Sequence, residues 1–185
     1  MTNYPHCTAY FAISLDGFIA DAEGGVGWLD AANEGLEGDT GYSDFIDSID
    51  AILMGRTTFQ QVLSFGAWPY TKPVYVLSNS LKSLPLELDG KASLACGSPN
   101  AVLRQMARLG HRRLYVDGGA TVHAFLAEGL IDRLVMTMIP TLLGSGIRIF
   151  GHLPAPMDWT LRNNRTPSDR LVELTYDRQT GAIGA

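Results

Sequence analysis

Three clusters of small and hydroxyl residues have the composition needed to hold phosphate groups. They are Gly55-Arg56-Thr57-Thr58, Leu77-Ser78-Asn79 and Gly118-Gly119-Ala120-Thr121. A helix N-terminus preceded by glycine offers unpaired N–H groups and a favourable dipole to an anion. Glycine lets the backbone approach a ligand closely, and an arginine adds a planar, charged fork. Together the clusters point to a phosphate-rich ligand such as a dinucleotide. They are not the common fingerprints, since the chain has neither a Gly-x-Gly-x-x-Gly after its first strand nor a Gly-Lys-Ser/Thr loop. A fourth cluster, Ser14-Leu15-Asp16-Gly17, offers Asp16 as an active-site carboxylate or as half of an Asp-Gly turn. Trp28, among Gly24, Gly25 and Gly27, is either a buried anchor or part of a lid over a ligand.

The segments around these clusters read as alternating strands and helices. Residues 10–14 form an apolar run that ends at Asp16-Gly17. Residues 21–41, rich in Gly, Asp, Glu and Ala, read as a long loop, and loops of that length are often functional. Residues 43–49 read as a short helix with Ser43 as N-cap and Phe45, Ile46 and Ile49 on one face. Buried strands are expected over 51–54, 74–77, 92–95, 114–116 and 134–139, the last stopped by Pro140. Helices are expected over 57–63 and 120–128. A further helix is bracketed by Ser98 as N-cap, Pro99 at its first position and Gly110 beyond its last turn. Residues 159–163 and 171–176 flank a polar turn and read as a terminal hairpin. The pattern is α/β: a mostly parallel sheet with helices on both faces, closed by an antiparallel hairpin, in one domain over residues 1–185. Ligands of such sheets bind beyond the carboxyl ends of the strands, where the clusters stand.

Composition narrows the function classes. Among 185 residues, 46% are hydrophobic and 18% charged, which suits a folded core rather than disorder. Apolar runs such as 51–54 and 74–77 fall far short of the ~18–20 residues of a membrane span. No basic-then-apolar leader opens the chain. Two distant cysteines, Cys7 and Cys96, suggest neither a disulfide framework nor a zinc site, so a reducing, cytoplasmic home is expected. The first 50 residues hold ten acids and no Lys or Arg, whereas the rest hold 14 bases and nine acids. An anionic ligand is therefore expected to bind the later part of the chain. No basic stripe suggests nucleic acid. His6, His111, His123 and His152 lack ligand spacing, so no metal is implied, and no Gly-x-Ser-x-Gly elbow suggests a hydrolase.

Read in order, Ser14-Leu-Asp-Gly17, Gly55-Arg-Thr-Thr58, Val76-Leu-Ser78, Gly118-Gly-Ala120 and Pro140-Thr-Leu-Leu-Gly144-Ser-Gly146 are similar to the dihydrofolate reductase superfamily. More narrowly, the chain resembles stand-alone relatives of the reductase domain of bifunctional riboflavin-biosynthesis enzymes, over roughly residues 6–178. The resemblance implies a three-layer dihydrofolate-reductase-like fold, NADPH as hydride donor, and a homodimer. It gives the phosphate-binding turn to Gly55, Arg56, Thr57 and Thr58. The adenosine 2′-phosphate falls to Ser78 and Asn79 after Leu77, and the diphosphate to Gly118, Gly119, Ala120 and Thr121. Ala12 and Ile19 match positions lining the nicotinamide, Trp28 resembles the aromatic residue of the flexible active-site loop, and Asp44 or Asp47 stands where a carboxylate binds the pterin. A cis bond between Gly118 and Gly119 is also implied. Two bases that could hold a ribosyl-phosphate substrate are absent, their places taken by Tyr10 and Phe18. The activity implied is reduction of a C=N or C=O carbon in a small pyrimidine- or pteridine-like heterocycle or carbonyl compound. The 5-amino-6-(5-phosphoribosylamino)uracil of the riboflavin pathway is one such substrate. Asp16 is expected to be the proton donor or the group that orients a water, its pKa raised by burial beside an apolar ring. The competing reading is a nucleotide-binding or scaffold protein of the same fold without turnover.

Overall fold

A computed structural model describes residues 4–33 and 41–179. In chain order its elements are β1 (His6–Ser14), β2 (Phe18–Ala20), α1 (Trp28–Asn33), α2 (Tyr42–Ser48), β3 (Ala51–Gly55), α3 (Arg56–Ser64), β4 (Val74–Leu77), β5 (Ala92–Ala95), α4 (Pro99–Arg108), β6 (Arg113–Asp117), α5 (Gly119–Ala127), β7 (Arg133–Ile139), β8 (Ile147–Arg148), β9 (Trp159–Ser168) and β10 (Leu171–Arg178). Eight strands form one sheet in the order β5-β4-β3-β6-β1-β7-β10-β9. The strands from β5 to β7 run parallel, and β10 and β9 close the edge as an antiparallel hairpin.

Strand alternation divides the core between the two faces. On one face Ala9, Leu53, Leu114 and Val116 pack under Val102, Leu103 and Met106 of α4 and Val122, Phe125 and Leu126 of α5. On the other, Ile52, Met54, Val74, Val76 and Tyr115 pack against Phe59 of α3 and Phe45 and Ile46 of α2. These are the three layers expected from the sequence.

Several local expectations change. The stretch 21–41 is not all loop, because α1 occupies Trp28–Asn33. Its Trp28 and Leu29 have an apolar seat against Ala12, Ile139 and Leu171. Helix α2 starts at Tyr42 with Gly41 as N-cap, so Ser43 lies inside the first turn instead of capping it. Gly41 has φ 89°, a left-handed turn that glycine adopts without strain. The hairpin strands run longer than expected, since cross-strand pairing extends a strand beyond its apolar residues. The small ribbon of β2 and β8, joined across residues remote in sequence, has no local signal.

Candidate active site

Helices α3 and α5 begin directly at the ends of β3 and β6, and neither has a side-chain N-cap. Helix α4, whose N-terminus follows β5 at the sheet edge, is capped by Ser98, whose Oγ accepts from Ala101 N. The two strand-end helices therefore keep their first N–H groups open to an anion. Their turns interlock. A β-carbon on Gly118 would overlap Thr58 Oγ1, and one on Gly55 would lie 2.7 Å from Thr121 Oγ1. A β-carbon on Gly119 would come within 2.7 Å of Ile19 Cδ1. Glycine is thus favoured at 118 by both the contact and its φ of 87°, and a larger residue at 55 or 119 would have to displace Thr121 or Ile19. Leu77 pairs with Gly55 in the sheet, which brings Ser78 and Asn79 to the same edge. Ser78 Oγ accepts from Ser80 N at 3.2 Å and Leu81 N at 3.0 Å, so its hydroxyl also holds its own turn. Arg56 and Thr57 are exposed and Thr58 is half-buried. Ala120 is exposed and Thr121 buried.

The expected cis bond between Gly118 and Gly119 is not present, as the described chain contains no cis peptide. The turn is made instead by Gly118 at φ 87° and ψ 135°, with its N–H donated to Asp117 Oδ1 at 2.8 Å.

Asp16 differs from expectation in its protonation. Ser14 Oγ donates to Asp16 Oδ1 at 2.6 Å, and the amides of Gly144 and Leu143 donate to its carboxylate at 2.7 and 3.2 Å. These bonds, the serine hydroxyl first, hold the carboxyl down at about 2 rather than raising it. Asp16 is an ionised latch between the end of β1 and the loop before β8. An acid this strong is a poor proton donor near neutrality.

The carboxyl with raised pKa is Asp117, at the end of β6. It is half-buried by surface, yet packed densely enough that desolvation lifts it to about 6 against the opposing pull of the nearby Tyr115 hydroxyl and the Gly118 amide. Tyr115, Tyr42 and Tyr70 surround it. Burial and then the Asp117 charge raise the Tyr42 hydroxyl to about 12, and the same causes raise Tyr70 and Tyr115 further. Tyr10 continues this aromatic wall on β1. It stacks on Phe45 with centroids 4.7 Å apart and meets Tyr42 edge-on at 5.5 Å. Tyr115 Oη donates to the Tyr10 carbonyl at 3.0 Å. Tyr10 Oη donates to Glu173 Oε2 at 2.9 Å, and Arg165 grips the same carboxylate through two nitrogens at 2.6 and 2.9 Å. A cavity of about 510 Å³ lies behind Tyr10, lined by His6, Thr8, Phe45, Arg133 and Glu173. It opens over the early halves of β1 and β7, away from the strand ends that carry the cradle.

Trp28 packs with Ala12, and its buried Nε1 has no hydrogen-bond partner among the described residues. A buried indole N–H without an acceptor fits a site that a ligand completes. Asp44 and Asp47 are exposed on α2, where an acid near the start also suits the helix dipole. The structure therefore gathers the three glycine- and hydroxyl-rich clusters with Ile19. It seats Trp28 on Ala12 and leaves Asp44 at the surface. Sequence reading missed Asp117, Tyr42, Tyr70 and Glu173. Asp117 had a signal, its place just before Gly118-Gly119 at a strand end.

The layers and the strand-end site together define a dihydrofolate-reductase-like α/β protein. The profile of the RibD C-terminal domain matches residues 5–172, and the chain belongs to that family. It is 37% identical over 172 residues to the uncharacterized protein YwjB of Bacillus subtilis (strain 168), covering 91% of this chain and 95% of that one. A Shewanella sp. PV-4 protein, assigned provisionally to riboflavin biosynthesis, superposes with a TM-score of 0.90 at 37% identity, over 94% of this chain and 99% of its own. Enterococcus faecalis dihydrofolate reductase, solved with NADP(H) and RAB-propyl, gives a TM-score of 0.65 at 16% identity, over 95% of this chain and 98% of its own, which speaks for the fold alone.

Proposed function

We propose that the protein is an NADPH-dependent reductase that delivers hydride to a C=N or C=O carbon of a small heterocyclic or carbonyl substrate. The observation that carries this reading is one shared sheet edge. It holds two uncapped helix N-termini, the charged fork of Arg56, and an Asp117 carboxyl near 6. Bound NADPH would supply the hydride. Gly118, Gly119, Ala120 and Thr121 would hold its diphosphate, and Gly55, Arg56, Thr57 and Thr58 its other phosphate oxygens, with Ser78 and Asn79 beside the 2′-phosphate. Ala12 and Ile19 would line the nicotinamide, and Trp28 would help exclude water. Asp117 holds a proton at its carboxyl below about pH 6 and would give it to the substrate nitrogen or oxygen. Asp16 fixes the loop that borders this edge.

The test is loss of nicotinamide absorbance at saturating NADPH across pteridine, pyrimidine and small carbonyl substrates. Oxidation that needs both substrate and Asp117 supports the reading. The alternative, cofactor binding without turnover, draws on the missing bases at Tyr10 and Phe18, and it predicts NADPH binding with no oxidation of any substrate.

A homodimer is part of the proposal. The β1–β7–β10–β9 end of the α4/α5 face carries Phe150 at 40%, Val172 at 40% and Leu161 at 47% exposure, continuous with half-buried Phe11, Met136 and Met138. A second copy would cover this apolar strip. Cys7 and Cys96 are free thiols, which suits a reducing cytoplasm. Among the described residues no helix is long and apolar enough to cross a membrane.

A further inference from the structure

We infer that the substrate bound beside Asp117 is a planar nitrogen heterocycle that carries no phosphate. This rests on the reductase reading above and narrows its substrate.

The approach to Asp117 is built of rings. Tyr10 and Asp117 follow the paired residues Ala9 and Val116 on neighbouring strands, so they lie side by side and on the same face. Tyr42 and Tyr70 stand close enough to feel the Asp117 charge, and Tyr42 is 37% exposed, which leaves the aromatic wall open at its rim. A flat heterocycle gains from ring contacts at such a wall. Its N–H or protonated ring nitrogen has a partner in the Asp117 carboxyl.

A phosphate meets the opposite conditions. Tyr10, one of the two positions where a base was expected, turns its hydroxyl to Glu173, only 4% exposed, and Arg165 is committed to that carboxylate by two hydrogen bonds. Arg165 is thus already engaged by a carboxylate on this side. At the second position Phe18 is covered by Arg148, whose guanidinium carbon lies 4.4 Å from the ring centroid and which donates to the Asp16 carbonyl at 3.2 Å. Ile19 faces Gly119, whereas Arg148 is held over the Phe18 ring and on the Asp16 carbonyl. A phosphate ester near Asp117 would bring its charge against a carboxylate and phenol rings in a partly desolvated place.

The test uses a matched pair of probes, 5-amino-6-(ribosylamino)uracil and its 5′-phosphate, titrated into the full-length protein saturated with NADP⁺ and read by tryptophan fluorescence. The unphosphorylated probe should bind more tightly by about tenfold at pH 8, a gap expected from one unfavourable charge contact. The gap should shrink toward pH 5 as Asp117 takes up its proton, and should be small and flat with pH in Asp117→Asn. Equal or tighter binding of the phosphate overturns the inference. So does a selective loss of phosphate binding in Arg148→Gln, or no measurable binding of either probe. NADPH oxidation is measured separately. If the unphosphorylated probe binds preferentially but is not reduced, and no other substrate is reduced, the inference stands and the reductase reading fails. If the phosphate is preferred and reduced, the reverse holds.

Discussion

Gly118 and Thr58 touch across two different strand-to-helix turns, so closely that a β-carbon on the glycine would occupy the place of the threonine Oγ1. Gly55 and Thr121 make the reciprocal contact. Each turn thus supplies a glycine for the other's hydroxyl, and the two helix N-termini are locked side by side.

Gly118→Ala should break this lock. The position has φ 87°, which an alanine adopts only under strain, and strain of this kind costs about 1–3 kcal/mol. The melting temperature should fall and affinity for NADPH and NADH should fall together. Unchanged melting and cofactor titrations would refute the contact as described.

Arg56→Ala addresses cofactor choice. A charge-assisted bond from arginine to phosphate is worth about 1.5–3 kcal/mol, so NADPH binding should weaken by about ten- to a hundredfold. NADH binding should barely change. Equal loss for both would remove Arg56 from the 2′-phosphate.

Asp16→Asn separates a latch from a proton donor. The native carboxyl ionises near 2, below its ordinary 3.8. Its stabilising effect is therefore present above about pH 4 and lost as pH falls through about 2. The variant should lose that acid-side slope in melting temperature. It should keep the pH profile of hydride transfer, with a rate change well short of the ~10²–10⁴-fold of a lost general acid. A collapse of the single-turnover rate would return the proton to Asp16.

Asp117→Asn should show the converse. Because the folded carboxyl titrates near 6, it binds a proton that the unfolded chain has already released above 3.8. Folding stability therefore declines as pH rises between these values, and the variant should lack this decline. The wild-type reduction rate should fall as pH rises past about 6, and the variant should be slower by ~10²–10⁴-fold at its best pH. A wild-type profile retained in the variant would place the donor elsewhere.

Val172→Lys combined with Leu161→Glu puts charge into the apolar strip. Sedimentation should show a dimer in the wild type and a monomer in the variant, with the monomer's far-ultraviolet dichroism intact. A wild-type monomer at micromolar concentration would dismiss this face as the interface.

The sequence alone determined the layers and the glycine- and hydroxyl-rich clusters at the strand ends, because both are local. Buried strands such as 51–54 and 74–77 announce themselves by apolar runs, and Ser98, Pro99 and Gly110 bracket α4 by rules that act within one turn. Gly118-Gly119 marks a turn wherever it falls. Protonation and partnership were decided only in the tertiary structure. Asp16 and Asp117 each stand beside a glycine at the end of a strand. Asp16 meets amides from residues 143 and 144 and becomes a strong acid, whereas Asp117 is desolvated among tyrosines from α2, β6 and the segment before β4 and becomes a weak one. Likewise nothing near Tyr10 in sequence tells that Glu173 and Arg165 will meet its hydroxyl. A carboxyl's pKa depends on charges and solvent within a few ångströms, and the strand order β6-β1-β7-β10-β9 sets which residues come that close.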